Sequence, residues 1–149
     1  MDALLAYVHF AAIFAMIGCL SAEWTLLRAG AEAVDAERLA RADAGYGALA
    51  GIVLLSGALR AVYGLKGWAF YAHNPVFHFK LGLFVLVGLL SILPTRAFLR
   101  WRRARRADPH WRVPAAEWRN ARRWLVVELH LLALIPLAAV IMSRGLRFA

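Results

Sequence analysis

Cysteine is nearly missing from this chain of 149 residues: Cys19 stands alone. A single thiol rules out an internal disulfide framework and any multi-cysteine zinc or iron–sulfur centre. Charge is also scarce, at 18% of residues against the roughly 25% of ordinary soluble domains. Acidic residues are scarcer still, nine in all. There is no Walker loop, GxGxxG, HExxH or nucleophile elbow, so hydrolase, kinase and nicotinamide chemistry lack support. What fills the chain instead is apolar: 62% of residues are hydrophobic and the mean hydropathy is +0.60. That composition argues against a soluble enzyme and against disorder.

Four apolar stretches reach the roughly 20 residues that a helix needs to cross a bilayer core of about 30 Å. They run over about 4–27, 46–63, 75–99 and 124–142. Each is a continuous run of helical length, unlike the ten-residue alternating segments of a membrane barrel. Helices also satisfy their own backbone polar groups, which lipid cannot do. The sequence therefore predicts an all-α integral membrane protein. It reads as one transmembrane domain over 1–149, an antiparallel four-helix bundle with a homodimer as an open alternative. The first stretch lacks a basic leader and exceeds the apolar run of a signal peptide, so it reads as a retained span.

The net charge of +9 is local. Residues 96–123 hold ten arginines against two acids, Asp108 and Glu117, and so carry eight of the nine charges. Basic residues gather on cytoplasmic loops. The 96–123 loop is thus expected in the cytoplasm of a bacterial inner membrane, with both termini periplasmic. Contact with anionic lipid head groups follows from the same charge. No nucleic-acid reader module is present. Trp101, Trp111, Trp118 and Trp124 fit an interfacial aromatic belt around this loop. Asn74-Pro75 reads as an N-cap and first helical residue, and Asp43 as a cap for the second span. Gly47 and Gly51, with Gly82 and Gly88, offer close helix approach. Pro94 and Pro136 predict kinks.

Ionisable groups inside spans are costly and mark candidate sites. His9 lies about 7 Å inside the outer end of span one, at a rise of about 1.5 Å per residue. His78 and Lys80 occupy the first two turns of span three, and Arg60 the last turn of span two, so all four share an outer layer. Two imidazoles from separate helices at one depth suit axial ligation of a haem iron. The cations beside them suit porphyrin propionates. The alternative is that the histidines hydrogen-bond carbonyls or water and the cations snorkel outward. An inner layer comprises Glu23, Glu128 and His130. Glu128 and His130 are about 200° apart on a helix, which places Glu128 toward the head groups and leaves His130 as a substitute ligand, proton relay or core hydrogen bonder. His9, Met16 and Glu23 form one stripe on span one.

The runs AYVHFAAIFAMIGCLSAEWTLLR and ADAGYGALAGIVLLSGALRAVYGLKGWAFYAHNPVFHFKLGLFVLVGLLSILPTRAFLRWRR cover most of the chain. They resemble a family of bacterial four-span inner-membrane proteins. More distantly, the chain resembles the CopD-like group, which includes HemJ-type protoporphyrinogen oxidases. That resemblance implies a haem b redox role and transfers an early span-one histidine onto His9. The group's lysine in span two has no counterpart, since Arg60 and Lys66 stand there.

The leading expectation is a b-type haem redox protein, a haem-dependent oxidoreductase being one form of it. His9 and His78 are the axial-ligand candidates, with His130 in reserve, and Arg60, Lys66 and Lys80 would hold the propionates. Electrons would pass between quinone and a periplasmic partner. Two alternatives remain open. One is a non-enzymatic scaffold or lipid-binding assembly factor working through the basic loop. The other is a metal or small-solute transporter using His9, His78 and Glu128.

Overall fold

The computed structural model describes residues 2–64 and 67–143. Lys66 lies outside them. Four long helices and one short one make up the described residues: α1 (Asp2–Arg28), α2 (Ala36–Tyr63), α3 (Gly67–Ala72), α4 (Pro75–Ala107) and α5 (Ala115–Ser143). All four long helices are apolar and long enough to cross a membrane. Their outer faces carry large apolar side chains such as Tyr7, Phe14, Leu55, Leu89 and Val140. A helix that is apolar on its solvent side as well as its packed side belongs in lipid.

Local chemistry sets the boundaries. The side chain of Asn74 accepts from the Val76 and Phe77 amides at 2.9 and 3.4 Å, and Pro75 follows it at the first helical position. The cap of α2 is Asp35, not Asp43: its carboxylate accepts from the Glu37 and Arg38 amides at 3.1 and 3.0 Å. The second helix therefore starts ten residues before the expected apolar boundary. The connection from α1 is correspondingly short and turns at Gly30, whose φ is +94°. Residues between spans two and three, expected as a loop, include the short helix α3.

The helices pack in two antiparallel pairs, α1 along α2 and α4 along α5, joined mainly through α2 and α4. Ala12, Met16, Leu20, Glu23 and Leu27 form the buried stripe of α1. Facing residues of α2 are Ala36, Leu39, Ala40, Asp43, Tyr46, Val53 and Ser56. Close approach occurs at Gly45 and Gly57, not at the glycines singled out from sequence. A Cβ on Gly45 would lie 3.1 Å from Cys19 Sγ, and one on Gly57 3.1 Å from His9 Cε1. The space around Gly47, Gly51, Gly82 and Gly88 is open. Pro94 and Pro136 both lie within continuous helices.

The end that carries the arginine-rich α4–α5 connection, here the basic end, is the best packed. Leu27, Leu39, Phe98, Trp101 and Leu125 are fully buried there. Trp101 is thus a core residue rather than part of an interfacial belt. Its indole donates to Glu117 Oε2 at 2.8 Å, while the Trp118 indole donates to the Leu27 carbonyl at 2.9 Å. Arg100 also reaches Glu117, at 2.6 Å. Arg106 meets both oxygens of Glu37, at 2.9 and 3.1 Å, and Arg105 donates to the Trp111 carbonyl. Several arginines of this segment therefore clasp protein groups.

Removing the Trp101 ring would leave a cavity in the best packed part of the bundle, and the loss of a buried large aromatic side chain costs about 3–5 kcal/mol. Trp101→Ala should lower the thermal midpoint in detergent by that equivalent. Trp68→Ala, at a position 56% exposed, should change stability by no more than about 0.5 kcal/mol.

Candidate functional site

Polar side chains inside the bundle gather in two layers. The first lies toward the end opposite the basic one and is built on His9. The His9 ring reaches across from α1 to α2, with Nδ1 2.9 Å from Ser56 Oγ. That hydroxyl has a single proton, and it lies 2.6 Å from the Ile52 carbonyl one turn earlier. Ser56 Oγ therefore accepts from His9, which puts the ring proton on Nδ1; the Val53 carbonyl also acts on the ring, and no hydrogen bond to Nε2 is formed among the described residues. Gly57 permits this geometry, since any side chain there would press on the ring.

Two cations stand close enough to His9 to act on it electrostatically: Arg60 from α2 and Lys80 from α4, which also act on each other. The guanidinium carbon of Arg60 lies 5.3 Å from the centre of the Phe10 ring. Its Nε is buried and has no hydrogen-bond partner. No carboxylate is among the groups acting on His9 or Lys80. Among the described residues, the layer thus combines an imidazole and two cations with no acidic partner.

His78 does not join it. Its side chain is exposed, with Nε2 2.9 Å from the Ala72 carbonyl at the end of α3. The ring fastens the start of α4 to α3, and the expected pairing of two imidazoles is replaced by His9 with Arg60 and Lys80. His130 is exposed as well, with Nδ1 2.7 Å from the Val126 carbonyl of its own helix. It is not a core residue, because it falls on the outer face of α5.

The second layer lies in the half of the bundle nearer the basic end and is acidic. Glu23 and Glu128 are each 1% exposed, and Asp43 and Tyr46 are buried with them. The expectation that Glu128 faces head groups is corrected here: Glu128 follows Ala121 and Leu125 on the packed face of α5. Thr95 Oγ1 donates to Asp43 Oδ1 at 2.7 Å. Tyr46 is close enough to Glu128 for the two to act on each other electrostatically. All four long helices contribute to this layer. Among the described residues, no group of three or more His, Cys, Asp or Glu side chains is arranged to hold a metal ion.

The family described as "Predicted membrane protein (DUF2214)" matches residues 1–147, and the chain belongs to it. No curated protein and no solved structure matches the chain.

The Thr95 hydroxyl ties α4 to the acidic layer. Thr95→Val keeps the shape but strips a buried carboxyl oxygen of its donor, a loss of about 1–3 kcal/mol. It should depress the thermal midpoint clearly. Ser91→Ala, which removes a hydroxyl bonded to the Gly88 carbonyl of its own helix, should leave it within about 0.5 kcal/mol.

Proposed function

We propose that this membrane protein binds haem b through His9 and serves in one-electron transfer. The observation that carries the reading is the Nδ1 contact of His9 with Ser56, which presents Nε2 as a ligand beside Arg60 and Lys80. A ligating imidazole ordinarily donates its other ring nitrogen to a neighbouring acceptor, and this fixes ring orientation and tautomer. The residues fit the group in two respects. Nε2 is unoccupied by any protein donor among the described contacts, and the buried Arg60 Nε needs an acceptor such as a propionate oxygen.

When bound, the haem would supply a one-electron couple. The chain's own residues do the rest. His9 would hold the iron, Ser56 would keep its ring from rotating, and Arg60 and Lys80 would neutralise the propionates. His9 is the one ligand candidate of this reading, since His78 and His130 are exposed and bonded to backbone carbonyls. We place the protein in a bacterial inner membrane, with the basic end cytoplasmic and the His9 layer near the periplasmic side. The positive-inside rule supports that orientation. Quinone and a periplasmic acceptor are the partners this position suits.

A second reading is a lipid-binding scaffold, favoured by the concentration of arginine at the basic end. The clasping roles of Arg100, Arg105 and Arg106 weigh against it, because those side chains are already engaged with protein groups.

Full-length protein reconstituted with haem should show a Soret band. His9→Ala should abolish it, whereas His78→Ala should retain it. Ser56→Ala should weaken haem affinity by about tenfold, the lower end of the effect of losing an outer-shell partner. A colourless reconstituted protein would overturn the proposal.

A further inference from the structure

The acidic layer plays no part in that reading and calls for an occupant of its own. We propose that Glu23, Asp43, Tyr46 and Glu128 form a proton-binding site in the core of the bundle, which stores at least one proton shared among the three carboxyl groups.

Donors and acceptors are out of balance in this layer. Three carboxyl groups from α1, α2 and α5 meet in a space where two hydroxyl donors are available. Thr95 serves Asp43, and Tyr46 lies buried in the same layer. One oxygen of Glu23 and one of Glu128 remain buried with no hydrogen-bond partner at all. A buried carboxyl oxygen without a partner is costly. Such oxygens are served by a donor or a cation.

Charge narrows the choice. The titratable groups that face the layer are Cys19 and Glu23 on α1, Asp43 and Tyr46 on α2, and Glu128 on α5; α4 contributes the neutral Thr95. The groups acting electrostatically on the three carboxyls are one another, with no lysine or arginine among them. Three uncompensated negative charges in one buried site are not sustainable. A metal ion would relieve them, but the side chains are not arranged as a coordination shell. The Thr95 proton also points at Asp43, where a cation would repel it. A proton needs no shell. Placed on one carboxyl, it removes a charge and donates a hydrogen bond to a neighbouring oxygen.

Access is short on one side. Glu23 lies five residues before the end of α1, about 8 Å along the helix axis. On the other side Leu20, Met16 and Ala12 close the interior of α1. The shorter way out of the layer is therefore toward the basic end, past the buried Leu27. This inference is independent of haem.

Infrared spectroscopy of the full-length protein in phosphatidylcholine vesicles tests it. At neutral pH the wild type should show the carbonyl stretch of a protonated carboxyl group. That band should move in deuterated water, fade as the pH is raised, and be lost or shifted in Glu23→Gln or Glu128→Gln. Absence of the band in the wild type at neutral pH would overturn the proposal. Heat released on adding sodium or calcium to that same band-free protein would point to a cation instead. A band unchanged in Glu23→Gln, Asp43→Asn and Glu128→Gln alike would overturn it too. Should a variant fail to fold, the wild type still decides. Its thermal midpoint should fall as the pH is raised through the range where the band fades, because the folded state then gives up protons it held in excess of the unfolded chain. A midpoint that does not fall across that range would count against the site.

Discussion

Lipid offers no partner to a polar side chain, and this constraint organises the whole bundle. The packed seam collects what the outer faces cannot carry. His9, Ser56, Arg60 and Lys80 gather toward one end, and Glu23, Asp43, Tyr46, Thr95 and Glu128 toward the other. Along α1 the two layers are separated by fourteen residues, about 21 Å at a rise of about 1.5 Å per residue. The layers have opposite sign, yet they cannot neutralise each other. At that distance a pair of unit charges is worth about 0.8 kcal/mol at an effective dielectric of about 20. That is well below the several kcal/mol needed to keep an ion away from water. Each layer must find its balance locally.

The basic end supplies the rigidity against which those layers are held. Its ion pairs look numerous, but Arg38 with Asp35, Arg100 with Glu117 and Arg106 with Glu37 are all substantially exposed. Exposed pairs contribute little each, about 0–1 kcal/mol. The buried side chains contribute more: Phe98, Trp101, Leu27, Leu39 and Leu125 exclude water completely. The acids of this end act chiefly as positioning groups. Glu117 receives both the Trp101 indole and Arg100, and so fixes α5 against α4.

How much of this was legible in the sequence depended on the physical signal each residue leaves. The four spans were plain because a bilayer crossing demands a continuous apolar run of helical length, and a half-buried soluble helix breaks such a run with a polar face. The start of α2 was not, because Glu37, Arg38, Arg41 and Asp43 dilute the hydropathy of a stretch that is nonetheless helical. Its Asp35 cap was present to be read. Depth was legible too, since position along a helix follows from residue number. Azimuth was the harder quantity. His9 meets Arg60 and Lys80 while the His78 ring is bonded to Ala72, and His130 lies on the outer side of α5. Azimuth leaves a trace only where neighbours define a stripe. Glu128 stands three residues after Leu125 and seven after Ala121, and Asp43 stands four after Leu39 and seven after Ala36. Those spacings place both acids on packed faces. The contact of Thr95 with Asp43 spans 52 positions and left no local trace.

The apolar partition between the layers bears on what the protein can couple. Ala12, Met16 and Leu20 on α1 and Val53 on α2 occupy the interior between His9 and Glu23, and none carries a polar side-chain hydrogen. A proton relay needs donors and acceptors at hydrogen-bond spacing, which this stretch does not provide. An electron is less constrained, because it needs no chain of polar groups. A change of charge beside His9 and one beside Glu23 would then communicate only through the field, and that field is weak at about 21 Å. The bundle is thus better suited to holding two charges apart than to passing a proton through. Each layer lies nearer its own end, and the buried side chains of α1 between them, Ala12, Met16 and Leu20, are all apolar.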